Sequence, residues 1–205
     1  MYNRMLSIVL RKALSSIHDS KFRTWIALER ELAYAIPPPP RGPTLELIEF
    51  DNGVPCLSSI NLINPRANCG SWSRRIEKGN VCVVAYLNEI PVFYEWVFRN
   101  DTGRSVHLNK VTDMHIDVEI PTCSAYFWDA WTNEHLRGQG IHGVVTVSLC
   151  NSLKLSGYKS CIALVDSLNW SSIKSFRRIG FTQVARATHL RVLGFDAICG
   201  HVRLQ

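Results

Sequence analysis

Apolar and polar positions along the chain follow two different periods. From residue 3 to 33 the period is helical: Met5, Ile8, Val9, Ala13 and Ile17 form an apolar stripe beside Arg4 and Arg11, and a second amphipathic run covers Phe22 to Leu32. The helix must stop before Pro37-Pro38-Pro39-Pro40, which is predicted to be extended and polyproline-like. Beyond it, alternation predicts strands at Thr44–Phe50, Val81–Tyr86, Val92–Phe98, His115–Ile120 and Ala125–Thr132. Leu87 to Pro91 reads as a hairpin connection, and Asp51-Asn52-Gly53 and Asn100-Asp101-Thr102-Gly103 read as turns. Pro55 to Lys78 reads as irregular or short helix. A helix from about Gly140 to Leu155 follows, with Ile141, Val145, Leu149 and Leu153 on one face. Then come a buried strand at Cys161–Val165, a helix from Asn169 to Arg178 closed by Gly180, and strand material from Phe181 to Val192 with a turn inside it. The pattern divides the chain into an N-terminal helical arm (1–36), a Pro-rich linker (37–43) and an α/β domain (44–205) whose first half is mainly antiparallel.

Composition narrows the class. With 46% hydrophobic and 20% charged residues, and 6 Trp, 8 Phe and 6 Tyr in 205, the chain can bury a sizeable core, which excludes general disorder. No run approaches the roughly 18 to 20 apolar residues of a membrane-spanning helix. The formal charge is +6, from 23 basic and 17 acidic residues. The basic residues are scattered, which favours a site for one polyanionic ligand over DNA or RNA binding. Seven cysteines form an odd set without CxxC or Cys/His metal spacing, so no metal is expected and the thiols are read as reduced. The apolar stretch Met5–Leu10 is too short for a secretory signal and is interrupted by Arg11-Lys12, making cytoplasmic the default location. Packing on its own domain is the favoured role for the basic arm, ahead of contact with a membrane surface.

The most informative segment is Arg137-Gly138-Gln139-Gly140-Ile141-His142-Gly143, which follows a strand and opens a helix. Such a turn aims unpaired backbone N–H groups one way, with the helix dipole behind them and Arg137 alongside, an arrangement that suits a pyrophosphate. The same loop also reads as a tight strand-to-helix turn. About thirty residues later stands Asn169-Trp170-Ser171-Ser172-Ile173-Lys174-Ser175-Phe176-Arg177-Arg178-Ile179-Gly180-Phe181.

Together the two segments resemble the GNAT superfamily of acyl-CoA-dependent N-acyltransferases. The first is similar to its Arg/Gln-x-x-Gly-x-Gly/Ala loop, through Arg137, Gly140 and His142. The second is similar to its Asn-x-x-Ser/Ala-x-x-x-Tyr/Phe-x-x-x-Gly-Phe helix, through Asn169, Ser172, Phe176, Gly180 and Phe181. The resemblance is specific over 125–182 and rests on strand order alone over 44–124. It implies a mixed, mainly antiparallel central sheet flanked by helices, here with an N-terminal helical extension. It further implies that the amides of Gln139, Gly140, Ile141, His142 and Gly143, with Gly138 and Arg137, hold the CoA pyrophosphate. Ala130, Trp131 and Thr132 would pair with the pantetheine arm and polarise the thioester carbonyl, in a slot where this strand splays from the next. Asn169 would reach pantetheine or the strand, and the Ser172–Phe176 face would line the acyl side.

Two departures stand out. His142 replaces Gly or Ala, and is read as pointing outward in preference to bonding the phosphates. Phe176 stands where many members carry a Tyr that protonates the leaving thiolate, which leaves that role vacant or to Ser175, Ser172 or water. For the base that frees the amine, Asp129 leads, flanked by Phe127, Trp128 and Trp131; an Arg-paired carboxylate is the structural alternative. Glu95 and Tyr126 are the other candidates, and His115, Asp117 and Glu119 alternate along one strand where they read as a solvated edge. The expected activity is transfer of an acyl group, acetyl by preference, from acyl-CoA to a primary amine of a small molecule such as an amino sugar, by direct attack in a ternary complex. The alternative is a non-catalytic CoA-binding module. Oligomeric state stays open.

Overall fold

The computed structural model describes residues 21–38, 41–51, 60, 62–65, 71–112, 118–192 and 195–199. Its strands in chain order are β1 (Lys21–Glu31), β2 (Glu46–Phe50), β3 (Asn80–Leu87), β4 (Ile90–Arg99), β5 (Val106–His107), β6 (Glu119–Ile120), β7 (Ser124–Thr132), β8 (Ser160–Asp166), β9 (Thr182–Val192) and β10 (Phe195–Cys199). Eight of them form one sheet in the order β2-β3-β4-β7-β8-β1-β9-β10, and β5 pairs with β6 separately. Every neighbouring pair is antiparallel except β7 and β8, which run parallel. The helices are α1 (Trp72–Glu77), α2 (Leu108–Val111), α3 (Ile141–Leu155) and α4 (Trp170–Arg178), with a 3₁₀ turn at Glu134–Leu136.

Side-chain alternation sends each strand to two cores. Val83, Ala85, Phe93, Val97, Ala125 and Phe127 face the layer that holds α3 and α4. Cys82, Val84, Tyr94, Trp96, Phe98, Tyr126 and Trp128 face α1, α2, Ile60 and Ile63. Burial on both sides explains why these strands read as near-continuous apolar runs. The β3–β4 hairpin is tighter than the sequence suggests, because Asn88 and Glu89 alone make the turn with φ of 48° and 66°.

The helix expected over Phe22–Leu32 is a strand. β1 lies between β8 and β9, pairing Trp25 with Asp166 through Glu31 with Ser160 on one side, and Lys21 with Arg191 through Glu29 with Thr182 on the other. The physical cause is the run Trp25-Ile26-Ala27-Leu28, which satisfies a helical period and a two-sided strand equally well. In the sheet, Ile26, Leu28 and Leu32 fill the α3/α4 core while Ala27 joins the other. The described part of the arm is thus integral to the sheet of the domain. Its residues 1–20 lie outside the described set, as do His115 and Asp117. Phe181–Val192 contains no turn: β9 is one strand with a bulge opposite Ala27/Leu28, and β10 follows it as a strand that the sequence pattern did not predict.

Three contacts tie β1 and the segment after it to the helices. Arg30, buried, donates to the carbonyls of Ile179 and, at 2.9 Å, Ala35. A cation there meets the negative end of the α4 dipole. Gly180, at φ 90°, lies so close that a Cβ would overlap that guanidinium. Lys154 near the end of α3 donates to the Tyr34 carbonyl at 3.1 Å, and the Arg41 carbonyl abuts Gly140 at the start of α3. A 15-residue helix is about 22 Å long, and the seven-residue step from Tyr34 to Arg41 covers about 22 Å at a polyproline rise. The step between these two described contacts, Tyr34 at the last turn of α3 and Arg41 at its first, is thus within the reach of seven residues. Deleting residues 1–35 removes β1 from the sheet, and the truncated chain should lose its cooperative thermal transition in circular dichroism. A truncated chain melting with the full-length protein would show that β8 and β9 close on each other unaided.

His142 joins α3 to α4. Its Nδ1 lies 2.8 Å from Ser175 Oγ, and its ring meets Phe176 edge-on at 4.8 Å. This inward packing overturns the expectation that it points outward. Burial lowers the imidazole to about 4 from an ordinary value near 6.5. The unfolded chain takes up this proton first, so the contribution to stability is complete above about pH 6.5 and is lost as pH falls toward 4. Melting temperature should decline across that window, and His142→Phe should flatten the decline. Equal slopes in the two proteins would mean that His142 is not a source of the acid sensitivity.

Candidate active site

The site begins where a ladder stops. β7 and β8 pair only from Ser124–Ser160 to Phe127–Ala163, yet both strands run on, to Thr132 and Asp166. Their divergence follows from a bulge in β7. The ladder to β4 pairs Trp96 with Trp128 and next Tyr94 with Trp131, so Asp129 and Ala130 together oppose Glu95. Asp129 takes φ 47°, a left-handed conformation that turns the strand away from its neighbour. The gap is a cavity of about 480 Å³ whose lining includes Glu95, Tyr126, Asp129, Ala130, Asn169, Ser172 and Phe176. The structure thus brings all three candidate catalytic residues to one slot.

They reach it from opposite faces of the sheet. Asp129 and Tyr126 lie on the α1 side. Asp129 forms an ion pair with Arg75 (Nη1 to Oδ2, 2.5 Å), whose guanidinium lies 4.4 Å over Trp128 and 5.2 Å from Trp96. Asn80 holds this corner: it donates to the carbonyls of Arg75 (3.0 Å) and Val111 (2.6 Å) and accepts Trp128 Nε1 (3.0 Å). The structural alternative read for Asp129, a carboxylate paired with an arginine, is therefore present, within the slot itself. Burial, and then the charge of Asp129, push the nearby Tyr94 hydroxyl well above its ordinary value. Tyr126 is raised by burial, opposed by a hydrogen bond with the backbone of Leu164, one residue past the last β7–β8 pair. Glu95 shares the other face with Phe93 and Val97 and is 1% exposed. Burial, and then Cys150 on α3, raise its carboxyl well above the usual range.

The residues of the glycine turn are not among those that line the cavity. In that turn Gly138 and Gly140 each take φ 82°, which lets the loop turn sharply into α3. The first bond of the helix runs from Val144 N–H to the Gly140 carbonyl at 3.0 Å, so the amides of Ile141, His142 and Gly143 precede it. No side chain caps this terminus and no acidic residue lies in its first turn. Gly140 is tight for a reason not seen in the sequence: a Cβ there would stand 2.8 Å from the Arg41 carbonyl. Arg137 lies 4.8 Å over Trp131 and 3.6 Å from Glu134. Trp131 and Thr132 pair with β4 on one side, and on the other have no ladder to β8. Asn169 caps α4, accepting from Ser172 N–H (3.2 Å) and Ser171 Oγ (2.9 Å). Phe176 is buried between His142 and Phe181. Ser175 is engaged by His142.

Sequence reasoning missed Arg75, Arg41 and Trp25, which also lines the slot. Arg75 carried a weak signal, sitting three residues after Trp72 on one helical face. Arg41 carried none beyond its place after the prolines. Among the described residues no group of three or more His, Cys, Asp or Glu side chains could hold a metal, and no helix is long and apolar enough to cross a membrane.

No family model and no curated protein matches the chain. Solved structures do. A functionally unknown conserved protein from Staphylococcus epidermidis superposes with TM-score 0.57 at 12% identity, over 89% of this chain and 66% of that one. A GCN5-related N-acetyltransferase from Sphaerobacter thermophilus gives TM-score 0.53 at 14% identity, over 92% of this chain and 58% of that one. A GCN5-related glucosamine N-acetyltransferase region of a fungal multi-domain β-N-acetylglucosaminidase gives TM-score 0.57 at 14% identity, over 88% of this chain and 22% of that one. The chain thus spans less than two thirds of each of these three structures. Identities this low speak for architecture alone, and the mixed sheet, its parallel wedge and the glycine turn into α3 agree with it: the chain has the GNAT fold.

Proposed function

We propose that the wedge between β7 and β8 binds an acyl-CoA and transfers its acyl group, acetyl by preference, to a primary amine of a small molecule by direct attack in a ternary complex. The observation that carries this reading is the unpaired end of β7 lying beside an uncapped helix N-terminus. An extended pantetheine arm can add to the free strand edge, and its pyrophosphate can meet the amides of Gln139 to Gly143. Arg137 flanks that turn and supplies positive charge. The thioester carbonyl would be polarised by backbone N–H groups of Ala130 to Thr132. The amine would enter from the α1 face, where Asp129, oriented by Arg75, takes its proton. Trp25 on that side offers a ring face to an amino sugar, and one fold neighbour is described as a glucosamine N-acetyltransferase region. Buried Phe176, with no hydroxyl to give, favours the second reading, a CoA-binding module without turnover. Native mass spectrometry with acyl-CoAs, followed by an amine panel that includes glucosamine and reports acetylated product, separates the two. Binding without product from any amine would favour the module.

Arg137→Ala should weaken acetyl-CoA binding by tenfold or more, since a charge-assisted hydrogen bond contributes roughly 1.5 to 3 kcal/mol and 1.4 kcal/mol is a factor of ten. Calorimetry that returns the wild-type affinity removes Arg137 from the site. Asp129→Asn should lower turnover by about 10²-fold or more, the ordinary weight of a general base, while acetyl-CoA affinity stays within a few-fold of wild type. Unchanged turnover would transfer the proton from the amine to Tyr126 or to water.

A further inference from the structure

Glu95 is the single Asp or Glu among the described residues that is buried, at 1% exposure. Its neighbours on the same face of β4, Phe93 and Val97, are core residues, and the groups packed near it from α3 and β8 are the thiols of Cys150 and Cys161. Its Oε2 is buried without a hydrogen-bond partner. No ion pair reaches it among the described residues. An acid so placed is costly and would ordinarily be replaced by an apolar side chain. Here it lines the slot, because the two bulge residues Asp129 and Ala130 stand opposite it and open the sheet at that level.

The face it occupies assigns the chemistry. Glu95 lies on the α3/α4 side, the side of the glycine turn and therefore of the thiol half of the reaction, whereas Asp129 lies on the α1 side. Phe176 lines the same slot and carries no exchangeable proton. We infer that Glu95 donates the proton to the sulfur that leaves when the amine displaces CoA, an inference that rests on the acyl-transfer reading above. The amine nitrogen forms a bond to the thioester carbonyl carbon, and the C–S bond breaks with its electron pair passing to sulfur. The Glu95 O–H proton moves to that sulfur and gives the thiol. The carboxylate then regains a proton from water in the slot, while the proton released by the amine passes to Asp129. Burial, and then Cys150, raise the Glu95 carboxyl above the usual range, which favours the donor form.

Infrared difference spectroscopy on the full chain reads this directly. The wild-type protein at neutral pH should show a protonated-carboxyl C=O band that disappears in Glu95→Gln. Should that variant fail to fold, ¹³C labelling of glutamate carboxyls assigns the band in the wild-type chain. Adding CoA should shift the band, whereas desulfo-CoA, bound with similar affinity by calorimetry, should leave it in place, because the partner of Glu95 is the sulfur. A band that ignores CoA while calorimetry shows CoA bound overturns the inference and spares the CoA site. A wild-type protein that binds no CoA overturns both.

Discussion

One constraint organises the molecule: β7 carries two residues where β4 has one. Asp129 adopts a left-handed backbone opposite Glu95, and from that point β7 can no longer lie flat against β8. The single parallel pair in an otherwise antiparallel sheet is where the ladder fails. Slanted parallel bonds are slightly weaker per residue, and a bulge adds twist where it sits. A cavity that passes between strands from one face to the other is the result. It also leaves the amides of the β7 end without partners in β8, which a buried strand does not tolerate unless something else pairs with them.

The two sides of the wedge are secured differently. On the β7 side, Asn80 fixes α1, α2 and Trp128 through three hydrogen bonds, and Arg75 is pressed between the indoles and Asp129. On the β8 side the support is β1, hydrogen-bonded along β8 and locked to the end of α4 by Arg30. Both the glycine loop and α4 thus depend on residues before position 42, through Arg30, Tyr34 and the Arg41 carbonyl against Gly140.

The sequence discloses the C-terminal half far better than the N-terminal half, for physical reasons. Between 125 and 182 several residues carry a narrow structural use: glycines at positive φ, an Asn that caps a helix, and Gly180 under a guanidinium. Trp25 to Leu28 has two uses, because four consecutive apolar residues fit the buried side of a helix or a strand buried on both sides. Only the hydrogen-bonding demand of β8 and β9 decides between them, and that demand is non-local. The bulge is illegible for a similar reason, since nothing in Trp128-Asp129-Ala130-Trp131 announces an extra residue. The inward packing of His142 is illegible for the same reason, since its partner Ser175 stands 33 residues on.

The placement of the acids shows what the bulge accomplishes beyond opening a gap. In a regular ladder Glu95 would face one β7 residue across the strand, and alternation would keep every β7 side chain on a fixed face. Two residues opposite one break that rule, so Asp129 turns to Arg75 on the α1 side while Glu95 stays beneath α3. The two carboxyl groups therefore experience different surroundings though they are cross-strand neighbours: one ion-paired and partly exposed, the other buried among aromatic and thiol groups. The proton acceptor and proton donor proposed for these two groups would need opposed environments. Here a sheet provides them within one rung, by changing which face the next residue points to.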